Sequence, residues 1–179
     1  MTPGLPEKMV AIHRSLATAG LAHAFGGALA LAWCVGAPRG TADIDVNILV
    51  PVDLLAVALH ALPDAVSAPA PARAMLQREG QARLWWDKTP VDVFLNTTEF
   101  HEELVHRIRI EPFAGEALPF LDCSDLAVFK AFFARSKDWV DLEEMVQAGT
   151  LDVERVLGTL VRHLGGEDPR IERLRSLTA

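Results

Sequence analysis

Cysteine is scarce in this chain: only Cys34 and Cys123 occur among 179 residues. Two cysteines this far apart exclude a disulfide framework and a thiolate zinc cluster, and they read as core thiols of a reducing compartment. Positive charge is also short, with 17 Lys and Arg against 24 Asp and Glu, a net charge of −7. Non-specific nucleic-acid binding draws its affinity from many cationic contacts to phosphate, so an acidic chain needs a local basic patch to achieve it. The overall field instead favours a small ligand, a cation-bridged ligand or a basic partner. The sequence has no internal repeat and no linker long enough to separate a pair of domains.

A true membrane span is missing too, although residues 19–37 imitate one. That stretch carries no charge apart from His23. Alanine and glycine dominate it, Gly26-Gly27 breaks it, and Glu7 spoils the basic flank that a signal peptide requires. A buried strand followed by a buried helix is the better reading, in a soluble, cytoplasmic protein with no membrane partner.

What is present is ordinary globular material. Half the residues are hydrophobic and 23% are charged. A chain of this length makes about one domain and buries roughly two-thirds of its unfolded surface. Apolar spacing predicts helices over 7–20, 28–35, 52–62, 100–106, 124–134, 137–147, 152–164 and 168–177. Ser124 is the expected N-cap of the fifth of these, with Asp125 in its first turn. Strands are expected over 21–25, 43–50, 82–86, 91–95 and 107–113, and a Pro/Ala loop over 63–71. The front is therefore mixed and the back helical. This gives an α+β fold: an α/β core over 1–122 and a helical region over 123–179 packed on it as a single compact unit.

The segment 43–50 (DIDVNILV) is the clearest strand, because polar and apolar residues alternate. Asp43 and Asp45, two apart, share one face and can hold the same hard cation, which takes oxygen ligands. Asn47 lies on that face as well, lining an acceptor pocket or reaching solvent. A third acid, Asp92, sits in the apolar strand VDVFL, where a carboxylate is costly to bury unless paired or metal-bound. Gly26-Gly27 follows a short strand and opens a helix, where backbone N–H groups meet phosphate. Arg39 and Thr41 just before the aspartates add a charge and a hydroxyl.

These residues resemble a known family. Gly26-Gly27-Ala28-Leu29-Ala30-Leu31, then Gly36-x-x-Arg39-x-Thr41-x-Asp43-Ile44-Asp45, with Asp92 in a later strand, look like the polymerase-β-like nucleotidyltransferase superfamily. The bacterial branch with AbiEii-type toxins is the most similar. Asp125-Leu126-x-x-x-Lys130 and Arg135-x-Lys137-Asp138-x-x-Asp141-Leu142 also resemble that branch, and the likeness spans about residues 20–147. It implies a nucleotidyltransferase-type mixed sheet flanked by helices. Asp43, Asp45 and Asp92 would be the catalytic residues and would bind two Mg²⁺ ions. Gly26, Gly27, Arg39, Thr41, Lys130 and Lys137 would hold the nucleotide. The implied reaction moves a nucleoside monophosphate from an NTP to a hydroxyl or phosphate acceptor: tRNA, protein or a small molecule such as an antibiotic. A toxin role with an antitoxin partner follows from the AbiEii likeness. The alternative is a catalytically inactive nucleotide-binding or partner-binding protein on the same fold.

Plainer readings stand beside these. Lys137 and Asp141 are spaced for an i,i+4 helix pair, and Lys130 for a surface residue. His101 and His106 are five apart, about 140° round a helix, so they do not share a zinc ion. Trp85 and Trp86 face opposite sides of a strand, one of them available to stack on a base. Phe129, Phe132 and Phe133 read as helix core. Arg107, Arg109, Arg162, Arg170, Arg173 and Arg175 would favour RNA only if they gathered on one face.

Overall fold

The computed structural model describes residues 3–178. The chain divides into two compact units. The first holds the chain up to Gly27 together with Gly40–Leu121, and the second holds Ala28–Arg39 and the chain from Asp122 onward. The architecture is α+β, as expected.

In the first unit, α1 (Leu5–Thr18) precedes β1 (His23–Phe25), which leads through Gly26 into α2 (Gly27–Val35). Most of α2 belongs to the second unit. Next come β2 (Ile44–Pro51), a 3-10 turn at Val52–Leu54, α3 (Leu55–His60), β3 (Val66–Ser67), α4 (Ala70–Glu79), β4 (Gln81–Trp86) and β5 (Thr89–Asn96). The unit closes with α5 (Glu99–Glu103), a second 3-10 turn at Leu104–His106, β6 (Arg109–Phe113) and β7 (Glu116–Phe120). The seven strands form one sheet in the order β3-β4-β5-β2-β1-β7-β6. The β2–β5 and β1–β7 pairs are parallel and the rest are antiparallel.

Alternation sets the register. Ile44, Val46 and Ile48 of β2 and Val91, Val93 and Leu95 of β5 are buried on one side of the sheet. Each such side chain contributes about 1.5–3 kcal/mol when fully removed from water. A one-residue slip would turn this whole set to the other face. A buried cation also fixes α1. Lys8 is 2% exposed; its Nζ donates to the Trp86 carbonyl and to Thr89 Oγ1, both at 3.0 Å, and lies 3.4 Å from Asp87. The residue thus ties α1 to the turn between β4 and β5, a role that its place in the charged flank does not foretell.

The second unit is helical: α2, α6 (Cys123–Phe133), α7 (Ser136–Gln147), α8 (Val153–Leu164) and α9 (Pro169–Thr178). Its charges interlock. The N-cap of α6 is Asp122, whose side chain accepts from the Ser124 N–H at 3.0 Å; the expected cap, Ser124, lies inside the first turn and is buried. Ser124 Oγ instead accepts from Asp152 N at 2.8 Å. Arg155 of α8 bonds to both Asp122 and Asp125. Phe132 and Phe133 are 48% and 37% exposed, so the expectation of core packing fails for both.

Three elements lie outside the sequence reading. Strand β3 falls within the expected 63–71 loop, and α4 begins in it at Ala70. Helix α4 is mostly exposed, with Leu76 as its buried residue, so it lacks the apolar stripe that announces a helix. Strand β7 pairs with β6 through a two-residue turn, Ala114-Gly115, with both residues at positive φ. An Asn-Gly pair would have advertised that turn.

The cysteines require a correction. Cys34, near the end of α2, and Cys123, the first residue of α6, are both buried and form a disulfide with Cα atoms 5.6 Å apart. Sequence distance hid the pairing, because spacing says nothing about spatial proximity. The expectation of a reducing compartment rests on free thiols, and the bond removes that ground. Among the described residues, no helix is long and apolar enough to cross a membrane.

Two outcomes follow. Thiol titration of the denatured, unreduced protein should find no free thiol, and Cys34→Ala should cost about 2–5 kcal/mol in denaturant unfolding. The second concerns His23, which is buried. Its Nδ1–H donates to the Leu21 carbonyl at 2.8 Å, so its Nε2 accepts from His13 Nδ1 at 2.9 Å. Burial lowers its pKa below 6.5, and the nearby His13 adds to the effect. The unfolded chain therefore takes up a proton that the native state resists. Stability is complete above pH 6.5 and falls as pH drops below it. Denaturant melts between pH 7.5 and 5.5 should show this loss, and His23→Gln should flatten it.

Candidate active site

The parallel β2–β5 register aligns Asp45 with Asp92, and the antiparallel β4–β5 register aligns Asp92 with Arg83. One row across three strands thus reads Asp45, Asp92, Arg83. Two carboxylates on adjacent strands repel unless a positive charge intervenes. Arg83 supplies it. Its Nε donates to Asp92 Oδ1 at 2.8 Å and its Nη2 to Oδ2 at 2.7 Å. The same Nη2 stands 3.7 Å from Asp43 Oδ2. The hydrogen bond to Asp92 and the charges of Asp92, Asp43 and Asp45 push the Arg83 pKa up. The sequence reading gives Arg83 no role. Its signal is the cross-strand partnership with Asp92, visible once the two-residue turn Asp87-Lys88 fixes the β4–β5 register.

Asp43 lies just ahead of β2 rather than in it. Thr41 Oγ1 donates to its carboxylate and accepts from its backbone N–H at 3.3 Å. Thr41 therefore orients an acid in this structure. Asn47 is 3% exposed, which overturns the reading that it reaches solvent. Its Nδ2 donates to the Ala24 carbonyl at 3.4 Å, and its Oδ1 has no hydrogen-bond partner among the described residues.

The glycine pair sits against the acids. Gly26 N–H donates to the Asp45 carbonyl at 3.0 Å, which carries the β1–β2 pairing one residue further. Gly27 adopts φ +60, and a Cβ there would run into the Asp45 carboxylate, with Cγ only 2.6 Å away. Only glycine fits both the dihedral and the space. Gly27 is also the first residue of α2.

The remaining expected residues belong to the helical unit. Lys130 of α6 has a side chain 9% exposed; its Nζ donates to Asp141 Oδ2 at 2.6 Å and lies 3.9 Å from Asp138. It is thus a buried ion-pair partner and not a surface lysine. Arg39 pairs with Asp141 at 3.6 Å and with Glu144. Asp141 therefore serves Lys130 and Arg39 rather than Lys137. Asp138, fully buried, accepts from the Arg135 N–H at 3.1 Å and from its guanidinium, which caps α7. Lys137 is exposed.

The basic residues that would favour RNA are largely matched by acids. Arg107 pairs with Glu103, Arg109 with Glu111, Arg170 with Asp168 and Arg175 with Glu172. Arg173 stacks over Trp139 at 4.3 Å. Trp85 is 42% exposed and Trp86 is buried, as opposite faces of β4 require.

Whether these acids suit a hard cation is a matter of donors and geometry. Asp43, Asp45 and Asp92 offer only carboxylate oxygens, the ligands that Mg²⁺ prefers. Arg83 already stands among them as a positive charge, which shows that the cluster accepts one. Among the described residues, no three His, Cys, Asp or Glu side chains are gathered into a ready ligand set. The donors fit the ion, while their arrangement here is closed onto Arg83.

The sequence matches no protein-family model and no curated protein. Solved structures do resemble it. The antibiotic-resistance factor ANT(2'')-Ia is 13% identical, with a TM-score of 0.56 over 98% of this chain and 91% of that one. An antigenic nucleotidyltransferase-like protein from Paracoccidioides brasiliensis is 14% identical, with a TM-score of 0.55 over 94% and 92%. The chain thus has a nucleotidyltransferase-type fold over nearly its whole length.

The Gly27 geometry makes a direct prediction. Gly27→Ala forces a Cβ into Asp45 and strains the backbone, which should lower stability by about 1–3 kcal/mol. Gly20→Ala, also at positive φ but with nothing within 4 Å, should pay only the dihedral cost. Paired thermal melts measure the difference.

Proposed function

We propose that the protein is a magnesium-dependent nucleotidyltransferase that moves a nucleoside monophosphate from an NTP to a hydroxyl or phosphate acceptor. The observation that carries this reading is the alignment of Asp45 with Asp92, with Asp43 alongside and Gly27 closed against Asp45. Asp43, Asp45 and Asp92 would hold two Mg²⁺ ions. When bound, the ions lower the pKa of the attacking hydroxyl and neutralise charge on the departing pyrophosphate.

The chain's own residues do the positioning. Thr41 fixes the Asp43 carboxylate, and the small Gly26-Gly27 backbone lets phosphate approach the N-terminus of α2. Arg39, Lys130 and Lys137 would neutralise the triphosphate. Arg39 and Lys130 now share Asp141, so a phosphate would compete with that acid for both. The pairing of basic residues with acids leaves little bare positive surface for RNA, which favours a small-molecule acceptor over tRNA. ANT(2'')-Ia, described as an antibiotic-resistance factor, agrees with that preference. A protein acceptor, and an AbiEii-like toxin role with an antitoxin partner, are the remaining forms of the proposal.

One observation favours a second reading. Asp92 is held by both oxygens to Arg83, as it would be in a protein that keeps the fold but only binds nucleotide or a partner.

Thermal unfolding with each NTP, with and without Mg²⁺, tests the first reading. A ligand present at a hundredfold excess over its Kd stabilises the native state by ~2.7 kcal/mol. The expected result is a Mg²⁺-dependent upward shift for at least one NTP, lost in Asp43→Asn, followed by release of pyrophosphate with a suitable acceptor. A shift without pyrophosphate release across an acceptor screen would favour the binding-only reading. No shift for any NTP would overturn both nucleotide-based readings.

A further inference from the structure

Arg83 is the cation of the acidic cluster, and nothing in the proposed reaction requires it. It comes from β4, the strand next to the one that carries Asp92. Its fork takes both Asp92 oxygens, at 2.8 and 2.7 Å, and its Nη2 reaches to 3.7 Å from Asp43. The side chain is 49% exposed, so packing does not lock it in place. Exposed ion pairs add little to stability. As a device for holding the sheet together, then, this pair is weak. As a device for occupying carboxylates, it is effective, because a bidentate guanidinium uses the oxygens that a hard cation would need.

We infer that Arg83 competes with the divalent cation for Asp92, holding the carboxylate cluster closed until a metal displaces it. The inference rests on the proposed reading of Asp43, Asp45 and Asp92 as metal ligands. Its logic is electrostatic. A guanidinium and a divalent cation repel at close range, and both draw on the same few oxygens. Neutralising Arg83 should therefore tighten metal binding, whereas a residue that merely supports the fold would loosen it or leave it unchanged. Arg83 is thus a positioning residue that sets how readily the acids accept an ion. It never touches substrate in this scheme. One consequence is that free metal alone loads the site poorly, so that an ion arriving already bound to a triphosphate has the advantage.

The probe is Mn²⁺ without nucleotide, with the free ion followed by electron paramagnetic resonance as it is titrated with the full chain. Arg83→Gln should bind Mn²⁺ about tenfold more tightly than wild type, the scale expected when a unit positive charge beside the ion is removed. Arg83→Lys, which keeps the charge, should stay within about threefold of wild type. Equal or weaker binding by Arg83→Gln overturns the inference while leaving the metal reading intact, because wild type still binds. Equal tightening by Arg83→Lys also overturns it, since charge would then not be the cause. If neither wild type nor Arg83→Gln takes up Mn²⁺ at millimolar concentration, the inference falls, while the proposed function still stands or falls on the NTP-dependent melts. Binding by Arg83→Gln alone supports the inference most strongly. A second measurement needs no variant. In ¹⁵N-labelled wild type, the Arg83 Nε–H signal should shift and exchange faster with water as Mg²⁺ is added. An unmoved signal through 20-fold the Mg²⁺ Kd, found by displacing Mn²⁺ with Mg²⁺ and about the excess needed to fill a site to nine-tenths or more, overturns the displacement.

Discussion

The parallel pairing of β2 with β5 is the constraint on which the first unit turns. It places Asp45 directly across from Asp92, an arrangement unfavourable for two like charges on neighbouring strands. Everything around the pair answers that cost. Arg83 takes Asp92 from the third strand of the row, Thr41 holds Asp43, and Gly27 leaves room for the Asp45 carboxylate. The opposite side of the same strands carries Ile44, Val46, Val91 and Val93, buried in the core. That core makes the register costly to shift, and so it makes the close approach of the acids hard to escape. Hydrophobic burial on one side thus sustains electrostatic tension on the other.

The second unit manages its acid excess in a related way, by sharing. Asp141 serves both Lys130 and Arg39, and Arg155 serves both Asp122 and Asp125. Asp138 spends its oxygens on the backbone and guanidinium of Arg135, capping α7. None of these acids needs a cofactor to account for its presence. The K-D-x-x-D pattern therefore divides into two jobs: a helix cap at its first acid and a bridge between cations at its second.

The strands that carry the acids were legible because alternation is a local signal. Residues 43–50 and 91–95 announce themselves in β2 and β5, and the glycine pair marks the turn into α2. Features that depend on partners far away in sequence were not legible. Arg83 reads as an exposed strand residue until β5 is laid beside β4. Lys8 reads as a flanking charge until the Trp86 carbonyl and Thr89 are brought to it. Strand β7 hides behind a turn made by Ala114, a residue that seldom adopts positive φ, and it contains Pro119, which weakens any strand signal. Phe132 and Phe133 show the reverse error. A run of aromatic residues suggests core, yet helical geometry sends successive residues in different directions, and these two emerge at the surface.

The bond between Cys34 and Cys123 makes a stretch of the polypeptide into a closed ring. The ring spans 89 positions of sequence and contains every strand from β2 to β7, along with all three candidate acids. Only α1, β1 and most of α2 precede it, and the helices beyond the start of α6 follow it. A single backbone cut inside the ring, in the 63–71 segment for instance, would open the circle without yielding separate pieces. The two halves would migrate as one molecule until a reductant released them. The covalent continuity of the acidic strands therefore does not depend on any one peptide bond within the ring.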